Sequence, residues 1–269
     1  MQSFEEQKLA NILALSTDKE MKDISRLWVQ NAGARRYAYN FSWLGRPIIQ
    51  VPQDIVAMQE LVWQIKPDLI IEAGIAHGGS LIMNASMLTL LDYCEAVASK
   101  KRTFDPRESR RRVLGIDIDI RSHNRADIEA HPIAHKIDMI QGSSIDPKII
   151  AKVYEFAKTT NRILIFLDSN HTHEHVLAEL EAYALLVSID SYIVVFDTLI
   201  EDLPAELYTS CSWGPGNTPK TAVWEYLRRL KNEGRTAADG APLHFEIDKM
   251  IENKLLITVA PDGYLKRVP

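Results

Sequence analysis

The chain has 269 residues, of which 46% are hydrophobic and 25% charged, ordinary values for a globular protein with one large core. A formal net charge of -5 gives no electrostatic footprint for nucleic acid, and two distant cysteines, Cys94 and Cys211, suit neither a disulfide framework nor a zinc motif. The start, "MQSFEEQKLANILALS", lacks the basic head and unbroken apolar core of a signal peptide, and no run approaches the length of a membrane span, so a reduced, cytoplasmic protein is expected.

Residues 1–60 hold an amphipathic helix and then the aromatic-rich stretch "RRYAYNFSWLGRPIIQVPQDI". They read as an N-terminal extension covering one end of the domain that follows, 61–269. From Pro67 onward strand-like and helix-like segments alternate. "DLIIEAG" is followed by the helical "GSLIMNASMLTLLDY", and "RVLGIDID" by a short polar helix or turn, "NRADIEAH". "KIDMIQGSS" precedes the helix "DPKIIAKVYEFAKT". "RILIFLDS" is almost wholly apolar, as a strand covered on both faces should be. "HEHVLAELEAYALLV" has helical spacing with Thr172 as its expected cap, "SYIVVFDT" is another buried strand, and "PKTAVWEYLRRLKN" opens a helix on Pro. The end, "HFEIDKM" and "KLLITVAPDGYLKRV", predicts two strands joined by a short turn at Glu252 and Asn253. The alternation implies an α/β domain with a largely parallel sheet and an antiparallel edge. The basic stretch "SKKRTFDPRESRRR" reads as a solvated loop, with an oligomer contact or an acidic ligand as the alternative.

Each buried strand ends in polar residues: Glu72 and Gly74, then Asp117 and Asp119, then Ser143 and Ser144, then Asp168, then Asp197. In a parallel sheet these ends share one edge, where open α/β folds bind ligands. The first loop, "EAGIAHGGS", is glycine-rich but is neither G-x-G-x-x-G nor a P-loop. An acid in that loop and an acid able to accept both ribose hydroxyls suit an adenosine-type cation such as S-adenosylmethionine better than a pyrophosphate. Asp168 and Asp197 end adjacent strands, which lie roughly 4.8 Å apart, so both carboxylates can share one cation. Oxygen donors favour Mg²⁺, whereas ligation by His171 and His175, four residues apart, would favour zinc or iron. His171 is also placed to take a proton from a metal-bound hydroxyl, the alternative being a surface or capping histidine.

These residues resemble the cephalosporin hydroxylase-like and rhamnosyl O-methyltransferase family of class I S-adenosylmethionine-dependent methyltransferases. The resemblance is carried by "NFSWLGRPIIQVPQDI", "IIEAGIAHGGSLIMNASML", "VLGIDIDI", "LDSNHTHEHVLAELEAYALLV", "YIVVFDT" and "GNTPKTAVWEYL", most of the chain from 40 to 230. It implies a Rossmann-like fold with a seven-stranded, mostly parallel sheet, bound S-adenosylmethionine and a divalent metal, Mg²⁺ or Mn²⁺. It places the cofactor at Glu72, Gly74 and Ser80, its ribose at Asp117, and its adenine near Ser143 or Ser144. It places the metal at Asp168, Asp197 and Thr198, and the base at His171. Two departures stand out: Thr198 replaces an amide, and Phe196 stands where some relatives have a second acid. The third ligand is then Thr198, Glu201, Asp202 or water. Tyr39, Trp43, Arg46, Trp213 and Asn217 are candidates for the acceptor pocket. The implied activity is methyl transfer to a hydroxyl of a sugar, glycan or glycosylated natural product, by a chain able to form a homo-oligomer. A hydroxylase, a nicotinamide oxidoreductase and a non-catalytic cofactor-binding subunit are the competing readings.

Overall fold

The computed structural model describes residues 2–269. Two helices, α1 (Phe4–Thr17) and α2 (Lys19–Ala34), form an N-terminal arm; Ser3 and Glu6 close a capping box on the first, and Asp18 caps the second. A 3-10 turn leads into a hairpin of β1 (Phe41–Trp43) and β2 (Arg46–Ile48). The sheet domain then runs α3 (Pro52–Ile65), β3 (Leu69–Ala73), α4 (Gly79–Ala98), β4 (Arg112–Asp117), α5 (Ser122–Glu129) and β5 (Ile137–Gln141). It continues with α6 (Pro147–Ala157), β6 (Ile163–Leu167), α7 (His173–Tyr183), β7 (Tyr192–Val195), α8 (Pro219–Glu233), β8 (His244–Ile247), α9 (Lys249–Leu255) and β9 (Tyr264–Val268).

The seven-stranded sheet has the order β5-β4-β3-β6-β7-β9-β8. The first five are parallel, and β9 runs antiparallel to both of its neighbours. Alternation along each strand splits the core in two. Ile71, Leu114, Ile165 and Ile193 face α6, α7 and α8 through Val153, Leu180 and Tyr226. Ile70, Val113, Leu164 and Val194 face α3 and α4 through Met58, Leu61, Leu81 and Leu88. Every residue of β3 and β6 is buried, which is why both read as near-continuous apolar runs.

The sequence expectation differs from the structure in three places. The last two strands are not joined by a short turn at Glu252 and Asn253. Asp248 accepts the amides of Met250 and Ile251, which starts α9 there, and β9 begins only at Tyr264. The boundary at residue 60 falls inside α3, whose Ala57, Met58, Leu61 and Val62 belong to the sheet core. The third concerns membrane spans. With its 20 residues α4 is long and apolar enough to cross a bilayer by length and composition alone. Its Leu81, Ile82, Ala85 and Leu88 are buried, and Asp92 pairs with Arg111 at 2.6 Å and Lys136 at 2.6 Å, as in a core helix.

Several cations of the basic stretch are used locally: Arg107 pairs with Asp105, Arg111 with Asp92 and Glu95, and Arg112 with Asp138. The hairpin meets α4 at Gly79, where a Cβ would lie 2.2 Å from the Pro47 carbonyl oxygen. Gly79→Ala must push the two apart, and a loss of about 1–3 kcal/mol of unfolding free energy is expected. Urea denaturation reads this, and an unchanged midpoint with an unchanged slope would contradict the close approach.

Candidate active site

The carboxyl ends of β3, β6 and β7 open into one cavity of about 670 Å³. Gly74, at φ 99°, lets the chain leave β3 against the neighbouring loop: a Cβ there would lie 2.0 Å from the Asp168 carbonyl oxygen. The first loop is held from beneath. Asp117 Oδ2 accepts the amides of Ile75 (2.8 Å) and Ala76 (3.3 Å), Asn124 donates to the Ala76 carbonyl (2.9 Å), and the Arg46 guanidinium donates to the His77 carbonyl (2.7 Å). Glu72 is buried on the cavity wall; it accepts the Ser80 hydroxyl and the Asn84 amide at 2.9 Å. Burial pushes its pKa up to about 7 against both of those hydrogen bonds.

Asp168 and Asp197 end β6 and β7, and His171 stands between them. One ligand atom from each of the three lies within 4.8 Å of the others. His171 Nε2 is 3.3 Å from Asp197 Oδ2, and the Trp213 ring meets the imidazole edge-on at 5.0 Å. Asp197 sits in the left-handed region at φ 54°, a conformation uncommon outside glycine and found where local structure enforces it. Burial raises the Asp168 pKa well above the usual carboxylate range, and the negative charge of Asp197 raises it further. Two half-exposed carboxylates and an imidazole at this spacing fit a divalent cation, whose charge would relieve that repulsion.

The structure does not bring every expected residue to the cavity. The Thr198 hydroxyl is turned away and donates to the Pro261 carbonyl at 2.6 Å. The other named candidates for a third ligand are also engaged: Glu201 accepts Gly216 N and the Thr218 hydroxyl, and Asp202 pairs with Lys220 at 2.5 Å. His171 stands where that ligand was sought. Arg46 is a strap, pairing also with Asp127 and Asn124, and Trp43 donates to Ser86 at 3.0 Å. Asn217 is a splint: its Oδ1 accepts His173 N (2.9 Å) and its Nδ2 donates to the Ser212 carbonyl (2.8 Å). Trp213 and Tyr39 do line the cavity. Ser144 lies behind the wall, its hydroxyl donating to Glu179, while Ser143 is half-buried and outside the cavity lining. Thr172 sits at the cap position of α7, but its hydroxyl donates to Asn170, and Asn217 takes the first helical amide instead.

Some contributors carried no sequence signal. Asp54, in α3, accepts the Thr258 and Tyr264 hydroxyls and Val259 N, pinning the loop 257–259 that forms part of the cavity wall. Its pKa is raised to about 6, chiefly by burial. Trp28, Val29 and Gly33 of α2 form another wall.

A parallel five-strand run with an antiparallel addition, and a ligand cavity at its carboxyl edge, define the class I methyltransferase type of Rossmann-like fold. The family described as "Rhamnosyl O-methyltransferase/CmcI" matches residues 35–268, and the chain belongs to it. It is a methyltransferase of the S-adenosylmethionine-dependent kind by fold and family. It is 28% identical over 215 residues to a rhamnosyl O-methyltransferase of Mycobacterium bovis, covering 80% of this chain and 73% of that protein. A Mycobacterium leprae rhamnosyl O-methyltransferase is 26% identical over 229 residues, 84% of this chain and 82% of that one. Among solved structures, apo CmcI superposes with a TM-score of 0.52 at 17% identity, covering 86% of this chain and 77% of that one. A CmcI structure described as Mg-SAM gives 0.52 at 17% identity, with 86% and 78% coverage. At that identity the structural likeness speaks for the fold.

The raised Asp54 and Glu72 values mean that the folded, ligand-free protein keeps protons the unfolded chain has released. Their stabilising contribution is complete below about pH 4 and is lost as pH rises through about 6 for Asp54 and about 7 for Glu72. The expected melting temperature of ligand-free protein therefore falls between about pH 4 and pH 7, and Glu72→Gln flattens the upper part of that fall. Calorimetric scans across this range check it; identical slopes for wild type and variant would show that Glu72 is not the group responsible.

Proposed function

We propose that the chain methylates a hydroxyl of a sugar, glycan or glycosylated natural product, using S-adenosylmethionine and a divalent cation, Mg²⁺ or Mn²⁺. The observation that carries this reading is the meeting of Asp168, His171 and Asp197 in one cavity that the Glu72 loop also lines. Support for the acceptor class comes from the rhamnosyl O-methyltransferase relatives.

The cofactor supplies an electrophilic methyl group, and the cation lowers the pKa of a hydroxyl beside it. Each remaining task falls to a named residue. Glu72 draws the cationic cofactor and gives up its proton when that charge arrives. The first loop, held by Asp117, Asn124 and Arg46, fixes the backbone the cofactor lies against. Asp168 and Asp197 hold the cation and the acceptor oxygen near it. His171 takes the hydroxyl proton at Nε2, with Trp213 restricting the ring and Asp197 stabilising the imidazolium. With S-adenosylmethionine bound, these residues would hold the acceptor oxygen in line with its methyl group, for transfer with S-adenosylhomocysteine as the leaving product. Tyr39 and Trp213 are aromatic surfaces for the acceptor. The same reading takes the chain as cytoplasmic and open to self-association.

The grouping of three ligand atoms favours a second reading, in which His171 is itself a metal ligand. His171→Ala separates the two. As a base, His171 leaves Mn²⁺ affinity intact while turnover falls about 100-fold or more. As a ligand, its loss weakens Mn²⁺ binding measured by paramagnetic resonance.

The central test is calorimetry with S-adenosylmethionine, with and without Mg²⁺, on wild type and Asp168→Ala. Cofactor binding by both proteins is expected, with the metal response confined to wild type. Wild type that binds no cofactor would sink the methyl-transfer reading, and turnover on an acceptor panel indifferent to chelator would remove the metal from it. Iron-dependent oxygen uptake without methyl transfer would favour a hydroxylase.

A further inference from the structure

The histidine-rich stretch opens α7, and that helix carries a polar stripe that the proposed chemistry does not use. His175, Glu179 and Tyr183 are spaced at i, i+4 and i+8, so they share one face. Glu179 is fully buried. Its Oε1 accepts two hydroxyls, from Ser144 at 2.5 Å and from Ser169 at 2.5 Å. His175 Nε2 lies 3.0 Å from the Ser144 hydroxyl and 3.4 Å from Glu179 Oε1, and the Tyr183 hydroxyl donates to the Ser144 carbonyl.

The two serines belong to different loops. Ser144 is in the turn after β5, which Gly142 N ties to the Asp117 carbonyl at 2.8 Å. Ser169 follows Asp168 directly and lines the cavity. A carboxylate only accepts, so both hydroxyls must donate to it. With its proton committed, Ser144 Oγ can only accept from His175, which places the proton of that ring on Nε2. The wiring has one sense, and α7 clamps both loops through one oxygen.

A fold in need of packing alone would not place a carboxylate here. No Lys or Arg pairs with Glu179 among the described residues, and its Oε2 has no hydrogen-bond partner. A buried polar atom left unpaired is unfavourable, and apolar residues of similar volume are often as stable at such positions. What the carboxylate provides that an apolar side chain does not is a fixed separation between two loops.

We propose that Glu179 is a positioning residue that sets the turn after β5, which is tied to Asp117 and through it to the first loop, in register with the Asp168–Ser169 turn, so that both sides of the cavity share one bracket. This rests on the methyl-transfer reading of the cavity. Its mark is that one substitution, remote from both ligands, weakens both.

The test measures Mn²⁺ binding by paramagnetic resonance and S-adenosylhomocysteine binding by calorimetry on wild type, Glu179→Leu, Glu179→Gln, Ser144→Ala, Ser169→Ala and the double serine variant. Glu179→Leu is expected to weaken both ligands about tenfold or more, the scale of losses from residues supporting metal ligands. Glu179→Gln keeps an acceptor oxygen for both hydroxyls and is expected to restore both affinities, which a role for its charge would not predict. Folded Glu179→Leu that binds both ligands as wild type does, or loses only one, overturns the proposal. Should that variant not fold, the serines decide. Breaking either arm releases the bracket, so each single serine variant weakens both ligands and the double loses less than the product of the singles. Effects confined to one ligand each, or multiplying independently, overturn it. Wild type that binds neither ligand overturns this proposal together with the methyl-transfer reading; wild-type binding with unaffected variants overturns this proposal alone.

Discussion

The structure depends on the concentration of negative charge behind one sheet edge. Asp54, Glu72, Asp168, Glu179 and Asp197 lie in or around a single cavity, and among the described residues none of them is paired with a lysine or arginine. Carboxylates are rarely left this way, because burial and mutual repulsion both disfavour the ionised forms. Burial raises the pKa values of Asp54, Glu72 and Asp168, and the charge of Asp197 adds to the effect at Asp168. The fold tolerates it through hydrogen bonds from Ser80, Asn84, Thr258, Tyr264 and the two serines on Glu179. Such donors satisfy oxygens without supplying positive charge. A cationic cofactor and a divalent ion would supply it, so the same electrostatics would favour their binding.

Holding those acids in place falls to the backbone around them. Asp168 N donates to the Ala73 carbonyl at 2.8 Å and Gly74 N to the Ile116 carbonyl at 2.8 Å, so parallel pairing continues past the strand ends and locks the loops side by side. The missing side chain at Gly74 allows that approach. Arg46 and Asn124 then brace the first loop from the hairpin and from α5. The arm's helix α2 contributes Trp28, Val29 and Gly33 to the cavity lining, yet its residues up to Ala34 precede the segment matched by the family, which begins at residue 35. One wall of the cavity is thus built by an element outside the matched segment.

The strands and their acidic ends were legible because both follow from local pattern: apolar runs for buried parallel strands, and a carboxylate or glycine where each strand stops. Glu72, Asp168, His171 and Asp197 all face the cavity for that reason. The misplacements have a common cause. Arg46, Asn217, Thr198 and Trp43 are polar or aromatic residues near the site in sequence, but their partners lie 31, 44, 63 and 43 residues away. No local pattern reveals which partner a side chain will choose. Asp54 was invisible for the same reason, since its partners Thr258 and Tyr264 are more than 200 residues downstream. The last hairpin differs because "KLLITV" has strand composition, while the Asp248 cap starts a helix that runs through Leu255 and Asp54 holds Thr258 and Val259 in the loop beyond it.

Phe196 bears on the character of the metal site. It is buried beside Asp197, with its ring 6.0 Å from that of Phe166. Two carboxylates balance a divalent charge; three exceed it. With only Asp168 and Asp197 as anionic donors, a bound cation keeps more of its pull on a neighbouring hydroxyl, because less of its charge is neutralised by the protein. The imidazole of His171 would fit that balance in either of its proposed roles, since it adds no negative charge. The apolar ring also lines the cavity, so on the proposed reading few anionic donors would act beside an apolar surface, where each charge counts for more.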